Sequence, residues 1–503
     1  MRVLKSAAMN EVKSAKKPAF DSDDDYKRAR DLLESADYTT EGMRRALGFD
    51  KKAVPTTADP LLLRRTSGGS PLDTLFRLFF ICVPVDIGAA RRALHPMDLE
   101  TWENAGIIER RDGSVNSKLR LSRFKDLILA HDFRPTSGEK GSDFVMGIGG
   151  ATRTQAMTTV RRQCSRALDV GTGSGILALL AARHCEEVYG VDLNPRAIAV
   201  ARFNARLNEI DNVHLREGKF LEPVADLEFD LIVADPPFVI SPPTDFLYLH
   251  GGVRGDEFCR LLARDASRQL REGGYFQMLL NWPHYREKDT ASELKSWFAG
   301  IGCDAWVLRV STEDAAAYAT SWVEHTYGHD RQIAAQMFNQ WMDYYEAQEI
   351  EAMSLGVATL RRCTDRANWV SLEDAPPAVT DECGEDIEVL FASRDFSARH
   401  DNDALLDATL RCSPQVRLEY RCEPEGNEWR MASSELRLDK ALRFSSKADP
   451  FTAGLLVRCD GRTTLRSLLP ELATAAGVDL QSIEGPCLHS VRQMIERGFL
   501  LPG

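Results

Sequence analysis

Residues 166–182 read Arg-Ala-Leu-Asp-Val-Gly-Thr-Gly-Ser-Gly-Ile-Leu-Ala-Leu-Leu-Ala-Ala. The spacing predicts a short strand over Arg166–Val170, a glycine-rich turn at Gly171-Thr172-Gly173-Ser174-Gly175, and an apolar helix from Ile176 to Ala182. Glycines let the backbone turn tightly and approach a ligand closely. A second strand, Glu187–Val191, ends in Asp192, 17 residues beyond Gly175. Further strands are expected at Val213–Glu217, Leu231–Ala234, Tyr275–Leu280 and Asp304–Arg309, with helical stretches between them. Parallel strands alternating with helices make an α/β protein with a doubly wound, Rossmann-like sheet.

The chemistry is concentrated at the fourth of these strands. Residues 230–238 read Asp-Leu-Ile-Val-Ala-Asp-Pro-Pro-Phe. Two consecutive prolines donate no backbone hydrogen bond, so the strand stops there. That places Asp235 and Phe238 at a strand's carboxyl end, the edge where open α/β sheets bind ligands. An acidic acceptor, two rigid prolines and an aromatic face suit a planar –NH2 group. Upstream, an acid at the spacing of Asp192 commonly grips ribose hydroxyls. The glycine turn and Asp192 together fit either a dinucleotide or S-adenosylmethionine. Three features favour the second. Asp169 precedes the glycines, where a carboxylate suits a ligand ammonium. No phosphate then needs neutralising. Dinucleotide domains have no use for Asp235-Pro236-Pro237-Phe238.

The ordered set Asp169-Val-Gly-Thr-Gly-Ser-Gly, Gly190-Val-Asp-Leu-Asn-Pro, Arg216-Glu-Gly and Asp235-Pro-Pro-Phe resembles the class I S-adenosylmethionine-dependent methyltransferases. Within them it looks like the methyltransferase small domain group, which includes release-factor glutamine methyltransferases and RNA guanine or adenine methyltransferases. The resemblance covers about residues 143–285. It implies S-adenosyl-L-methionine as cofactor, bound by Asp169, Gly171, Thr172, Gly173, Gly175 and Asp192. It implies catalysis by Asp235, Pro236, Pro237 and Phe238. Two positions depart from the group. Many members carry Asn where Asp235 stands, and a small or acidic residue where Lys219 stands. The adenine contact then falls to Glu217 or Phe220. In the proline- and glycine-bracketed loop after Phe238, Tyr248 and His250 are candidates for substrate contact. Gly147 and Gly149 read either as a lid over the methionine end or as a simple linker.

A length of 503 residues leaves room for about three domains. The net charge of −12 does not suit a general nucleic-acid binder and tilts the substrate toward protein. The 11 cysteines contain no C-x-x-C pair, so free thiols and a cytoplasmic setting are expected, with no metal site. No apolar run approaches the roughly 20 residues of a membrane span.

The chain divides as follows. Residues 1–70 hold a disordered tail, a helix and a linker. Residues 71–142 form a winged-helix-like module of three helices, with a hairpin pairing the segment from Gly106 with Lys118–Leu121. This module carries Arg91, Arg92, Arg110, Arg111, Lys118, Arg120, Arg123 and Lys125. Residues 143–345 form the methyltransferase domain. Residues 346–448 are a mixed α+β region, and 449–503 a small winged-helix-like unit. Removal of residues 1–135 is expected to spare donor binding. The reaction expected is methyl transfer to a planar amino or amide nitrogen, on a protein glutamine of, for instance, a translation factor. The alternative is an amino group of RNA or DNA. A binding protein without activity is disfavoured by the intact motifs.

Overall fold

The computed structural model describes residues 17–48, 60–133, 143–243, 256–328, 330–376, 382–440 and 442–503. Residues 1–16 of the expected tail, residues 49–59 of the expected linker, and the loop candidates Tyr248 and His250 lie outside these residues.

An eight-stranded sheet organises the molecule. Its strands are β1 (Cys164–Val170), β2 (Cys185–Asp192), β3 (Val213–Glu217), β4 (Phe229–Ala234), β5 (Leu270–Tyr285), β6 (Cys303–Asp314), β7 (Ile350–Arg362) and β8 (Val370–Asp374). They lie in the order β8-β6-β7-β5-β4-β1-β2-β3. Strands β5, β4, β1, β2 and β3 are parallel, and β7 runs antiparallel to both β5 and β6. The chain winds outward from β1 to β3 and then returns to β4 on the other side of β1. That reversal opens a crevice at the carboxyl ends of β1 and β4.

Helices α1 (Gly150–Thr158), α2 (Ile176–Ala181), α3 (Pro195–Leu207), α4 (Glu257–Arg268) and α5 (Thr290–Trp297) accompany the parallel strands. Helices α6 (Ala315–Tyr327) and α7 (Arg331–Ala347) fill the connection from β6 to β7. All six expected strands are present.

The sheet runs past the expected boundary at 345. Strand β7 lies inside the sheet and carries no motif. It is buried on both faces, and Ser354, Gly356 and Thr359 interrupt its apolar run. A β-carbon at Gly356 would stand 2.6 Å from the Leu308 carbonyl oxygen and 2.8 Å from the Trp282 ring, so the strand needs glycine there.

The cysteine expectation also needs correcting. Cys164 and Cys185 form a disulfide, and the other nine are free. Far apart in sequence, the two stand opposite each other at the start of neighbouring β1 and β2.

Ahead of the sheet, a core of Phe20, Tyr26, Leu33, Phe79 and Trp102 also takes in Phe203 and Leu207 of α3. The hairpin there pairs Ile108–Arg111 with Ser114–Ser117 rather than with Lys118–Leu121. Asp112 and Gly113, with φ of 50° and 76°, make the tight two-residue turn that sets this register. Lys118 leads instead to a second hairpin, Arg120–Phe124 with Leu127–His131.

At the other end, the expected unit 449–503 is not self-contained. Its three-stranded sheet has Thr409–Cys412 at the centre, between Asp460–Thr464 and Leu500–Pro502. Ile387, Leu390 and Phe391 join this region to Trp306 and Tyr275 of the large sheet in one core.

Candidate active site

Register puts the motif residues level. Val170 of β1 pairs with Ala234 of β4 and with Val191 of β2. The next residue on each strand is Gly171, Asp235 or Asp192, so all three meet at one edge. They line a cavity of about 920 Å³.

The glycine turn is built for close approach. Gly171, Gly173 and Gly175 have φ of 74°, 54° and 87°, which side chains disfavour. Nothing lies within 4 Å of where a β-carbon on Gly171 would stand, so that backbone faces open space. A β-carbon on Gly175 would sit 3.0 Å from that of Ala201, so this glycine also lets α2 pack on α3. Gly175 itself is not among the lining residues.

Asp169 is buried at the end of β1. Its Oδ2 accepts from Thr172 Oγ1 at 2.7 Å and from the Ala178 N–H at 3.0 Å. Its Oδ1 is buried without a hydrogen-bond partner among the described residues. Burial pushes this carboxyl up to about 7. An unpartnered acceptor in a ligand cavity suits a ligand ammonium. Asp192 Oδ2 accepts from Gly173 N–H, and its Oδ1 from Asn194 N–H, each at 2.8 Å. Burial raises its pKa as well. These bonds orient the carboxylate and leave lone pairs for hydroxyl donors. Phe220 lines the cavity edge-on to Phe258, at 4.7 Å between ring centroids. Glu217 is exposed and is not among the lining residues, so of the two adenine candidates only Phe220 faces the cavity. The donor set therefore fits S-adenosylmethionine.

Asp235 lines the same cavity as the glycine turn and Asp192. Thr152, on the first turn of α1, donates its hydroxyl to Asp235 Oδ2 at 2.6 Å. That leaves Oδ1 for a ligand. Burial pushes the Asp235 carboxyl up to about 6, against the lowering effect of Thr152. Pro236, Pro237 and Phe238 line the same space, with Phe238 only 8% exposed. Gly147 and Gly149 border the cavity too. A β-carbon on Gly147 would fall 2.3 Å from the His131 ring, so that segment is packed tightly against the N-terminal part.

The sequence reading missed Thr152 and the far wall. Ser311 and Glu313 of β6, Met353 and Leu355 of β7, and Tyr318, Ser321, Trp322 and His325 of α6 all line the cavity. The four residues on α6 recur at helical spacing, a signal present in the sequence. No motif marks them as facing the site. Asn281 of β5 also lines the cavity, with its Nδ2 donating to Tyr318 Oη at 2.5 Å.

Comparison with known proteins agrees with this geometry. A family model described as a methyltransferase domain matches residues 163–344. Two models of domains of unknown function match residues 35–118 and 389–502. The chain is 36% identical over 126 residues to a release factor glutamine methyltransferase of Geobacter sulfurreducens, covering 22% of this chain and 44% of that protein. It is 30% identical over 135 residues to a protein of Methanocaldococcus jannaschii named as a protein N5-glutamine methyltransferase, covering 25% of this chain and 67% of that protein. The chain thus spans less than half the length of the release factor methyltransferase and two thirds of the shorter archaeal protein. Among solved structures, a methyltransferase of Pyrococcus furiosus aligns at a TM-score of 0.28 and 18% identity, covering 44% of this chain and 88% of that one. With the glycine turn, the two strand-end aspartates and the Asp-Pro-Pro-Phe edge joined in one cavity, the chain belongs to the class I S-adenosylmethionine-dependent methyltransferases.

Proposed function

We propose that this protein transfers the methyl group of S-adenosylmethionine to the side-chain amide nitrogen of a glutamine in a protein. The observation that carries the reading is the Asp235 carboxylate, held by Thr152 where the cavity's donor half meets its acceptor half. The names of the glutamine methyltransferase relatives support it.

The donor supplies an electrophilic methyl group on a sulfonium. In the donor half, Asp169 Oδ1 takes the ammonium and Asp192 the ribose hydroxyls. The backbone of Thr172–Ser174 meets the carboxylate, and Phe220 flanks the adenine. In the acceptor half, an amide nitrogen is a poor nucleophile because its lone pair is delocalised. Asp235 Oδ1 and the Pro236 carbonyl accept its two N–H bonds and draw the nitrogen toward a tetrahedral shape. The lone pair is then aimed at the methyl, with Phe238 against the amide plane. The methyl–sulfur bond would break as the C–N bond forms, releasing the neutral thioether, and Asp235, raised to about 6, would take the proton from the methylated nitrogen. Positioning of this kind is worth about 7–11 kcal/mol in favourable cases.

Charge supports a protein substrate over a nucleic acid. Among the described residues lining the cavity, Lys219 is the one lysine or arginine, and it follows β3 in the donor half. Around Asp235 and Glu313 the described lining offers no lysine or arginine to a phosphate. Much of the basic N-terminal set is neutralised internally. Arg110 pairs with Glu103, Arg111 with Asp112, Lys118 with Glu109 and Lys125 with Glu382.

The test is methylation of cell lysate with labelled donor, followed by nuclease or protease treatment. The label should survive nuclease, fall with protease and map to a glutamine side chain. Label that follows nucleic acid would overturn the reading.

A further inference from the structure

Strands β6 and β7 are antiparallel neighbours, with Asp314 opposite Ala352. Such strands can be joined by a two-residue hairpin. Here the connection is a pair of helices instead, α6 and α7. Asp314 caps α6 by accepting from the Ala317 N–H, so the helix begins directly where β6 ends.

Tyr318, Ser321, Trp322 and His325 follow the i, i+3, i+4, i+7 rule and share one face of α6. All four line the cavity that holds Asp235. The rings form a ladder along the helix, with centroids 6.3 Å apart for Tyr318–Trp322 and 5.7 Å for Trp322–His325. Tyr318, at its base, is buried, while Trp322 and His325 are half-buried.

The helical pair is also locked to the catalytic segment. The Ile240 N–H donates to Tyr318 Oη at 3.3 Å, and Tyr345 Oη of α7 donates to the Ile240 carbonyl at 2.7 Å. One tyrosine from each helix thus holds each polar group of Ile240, two residues beyond Phe238. The ladder therefore has a set position relative to Asp235.

We propose that the Trp322–His325 part of this ladder is a docking wall for the polypeptide that flanks the target amide. The inference rests on the glutamine reading above. The wall is continuous with the catalytic cavity and stands on its acceptor side. Met353, Leu355 and the exposed carboxylate of Glu313 line the same cavity. Flat rings and an aliphatic floor suit peptide planes and uncharged side chains. Glu313 suits a peptide N–H or a basic residue, and repels phosphate. A polypeptide satisfies all three features.

The experiment uses the full chain, labelled S-adenosylmethionine and a pool of short, blocked peptides containing glutamine. Trp322→Ala should raise KM for the pool about tenfold or more, as loss of an aromatic anchor does. Donor affinity and kcat at saturating peptide should stay close to wild type. Trp322→Phe keeps a ring and should restore most of the KM. A purely structural role would instead lower donor affinity and thermal stability together with activity. An unchanged KM in folded Trp322→Ala, or a parallel loss of donor binding, would overturn the docking wall while leaving the glutamine reading intact. Failure of the wild type to methylate any peptide, with transfer to nucleic acid instead, would overturn both.

Discussion

Two opposed influences act on Asp235: burial raises its carboxyl, and the Thr152 hydroxyl lowers it, leaving it at about 6. Only the ionised form can accept from Thr152 at Oδ2 and from a substrate N–H at Oδ1 and still take up a proton, so turnover should fall as pH drops through about 6. Asp235→Ala should bind donor almost normally and transfer methyl slowly, because the lost interaction matters mainly in the transition state. The expected loss is about 2.7–4 kcal/mol of barrier, roughly 100- to 1000-fold in single-turnover rate. Asp235→Asn should be milder, since its carboxamide oxygen still accepts, and should lose the acid limb of the pH profile. Near wild-type transfer by the alanine variant would reduce the motif to a strand terminator. Thr152→Val removes the lowering influence, so the Asp235 pKa rises and the acid limb of kcat moves to higher pH. Thr152→Ser should return it toward wild type. In an Asp235→Asn background, Thr152→Val should have no pH-dependent effect. A pH-independent loss in both backgrounds would mean that Thr152 matters only for packing.

At the level of elements, α3 binds the hairpin strand Leu127–His131 as a neighbouring strand would. Asn204 Oδ1 accepts from the Ala130 N–H at 2.7 Å, and its Nδ2 donates to the Ala130 carbonyl at 2.9 Å. Asn208 does the same with Ile128, at 2.9 and 2.8 Å. The match is geometric. Four residues of helix rise about 6 Å and two residues of strand about 6.8 Å. Asn204 Nδ2 also reaches the Ser174 carbonyl in the glycine turn at 2.8 Å. Asn204→Ala should therefore cost about 1–3 kcal/mol for each backbone group left buried and unpaired. Denaturant unfolding would read this as a lower midpoint, and calorimetric titration as weaker donor binding. An unchanged midpoint would mean that water replaces the side chain without penalty. This link was not legible in the sequence, where two asparagines four apart on a helix look like solvated polar residues. Strand β7 was missed for a related reason. Its serine, glycine and threonine are tolerated because neighbours on both sides cover them, and coverage is not a local property.

For the whole molecule, the cores are shared between regions that the sequence divides. Phe203 and Leu207 of α3 are buried with the N-terminal helices, and Phe391 with Trp306 of β6. Arg361 of β7 bridges Asp304 of β6 and Asp395 beyond the sheet, a further tie to the C-terminal region. Deleting residues 1–135 would uncover Phe203 and Leu207 and leave Asn204 and Asn208 without their strand. The truncated protein should aggregate or unfold and lose donor binding with its fold, contrary to the sequence-level expectation that donor binding survives. Circular dichroism with a donor titration checks this. A folded truncation with full donor affinity would show that α3 stands without its cover.

What the sequence determined by itself was local in origin. Glycines at positions that need positive φ, acids at strand ends and a double proline constrain the backbone within a few residues. The parallel strands, the glycine turn, Asp169, Asp192 and Asp235 were accordingly legible from composition and spacing. Only the tertiary structure decided which distant residues complete the cavity. Thr152 reaches Asp235 across 83 positions of sequence, and Tyr345 reaches Ile240 across 105. Cys164 meets Cys185 because two strands start side by side. Each of these contacts depends on chain reversal and sheet order, which the covering of apolar surface by distant segments sets, and no short window of sequence records that.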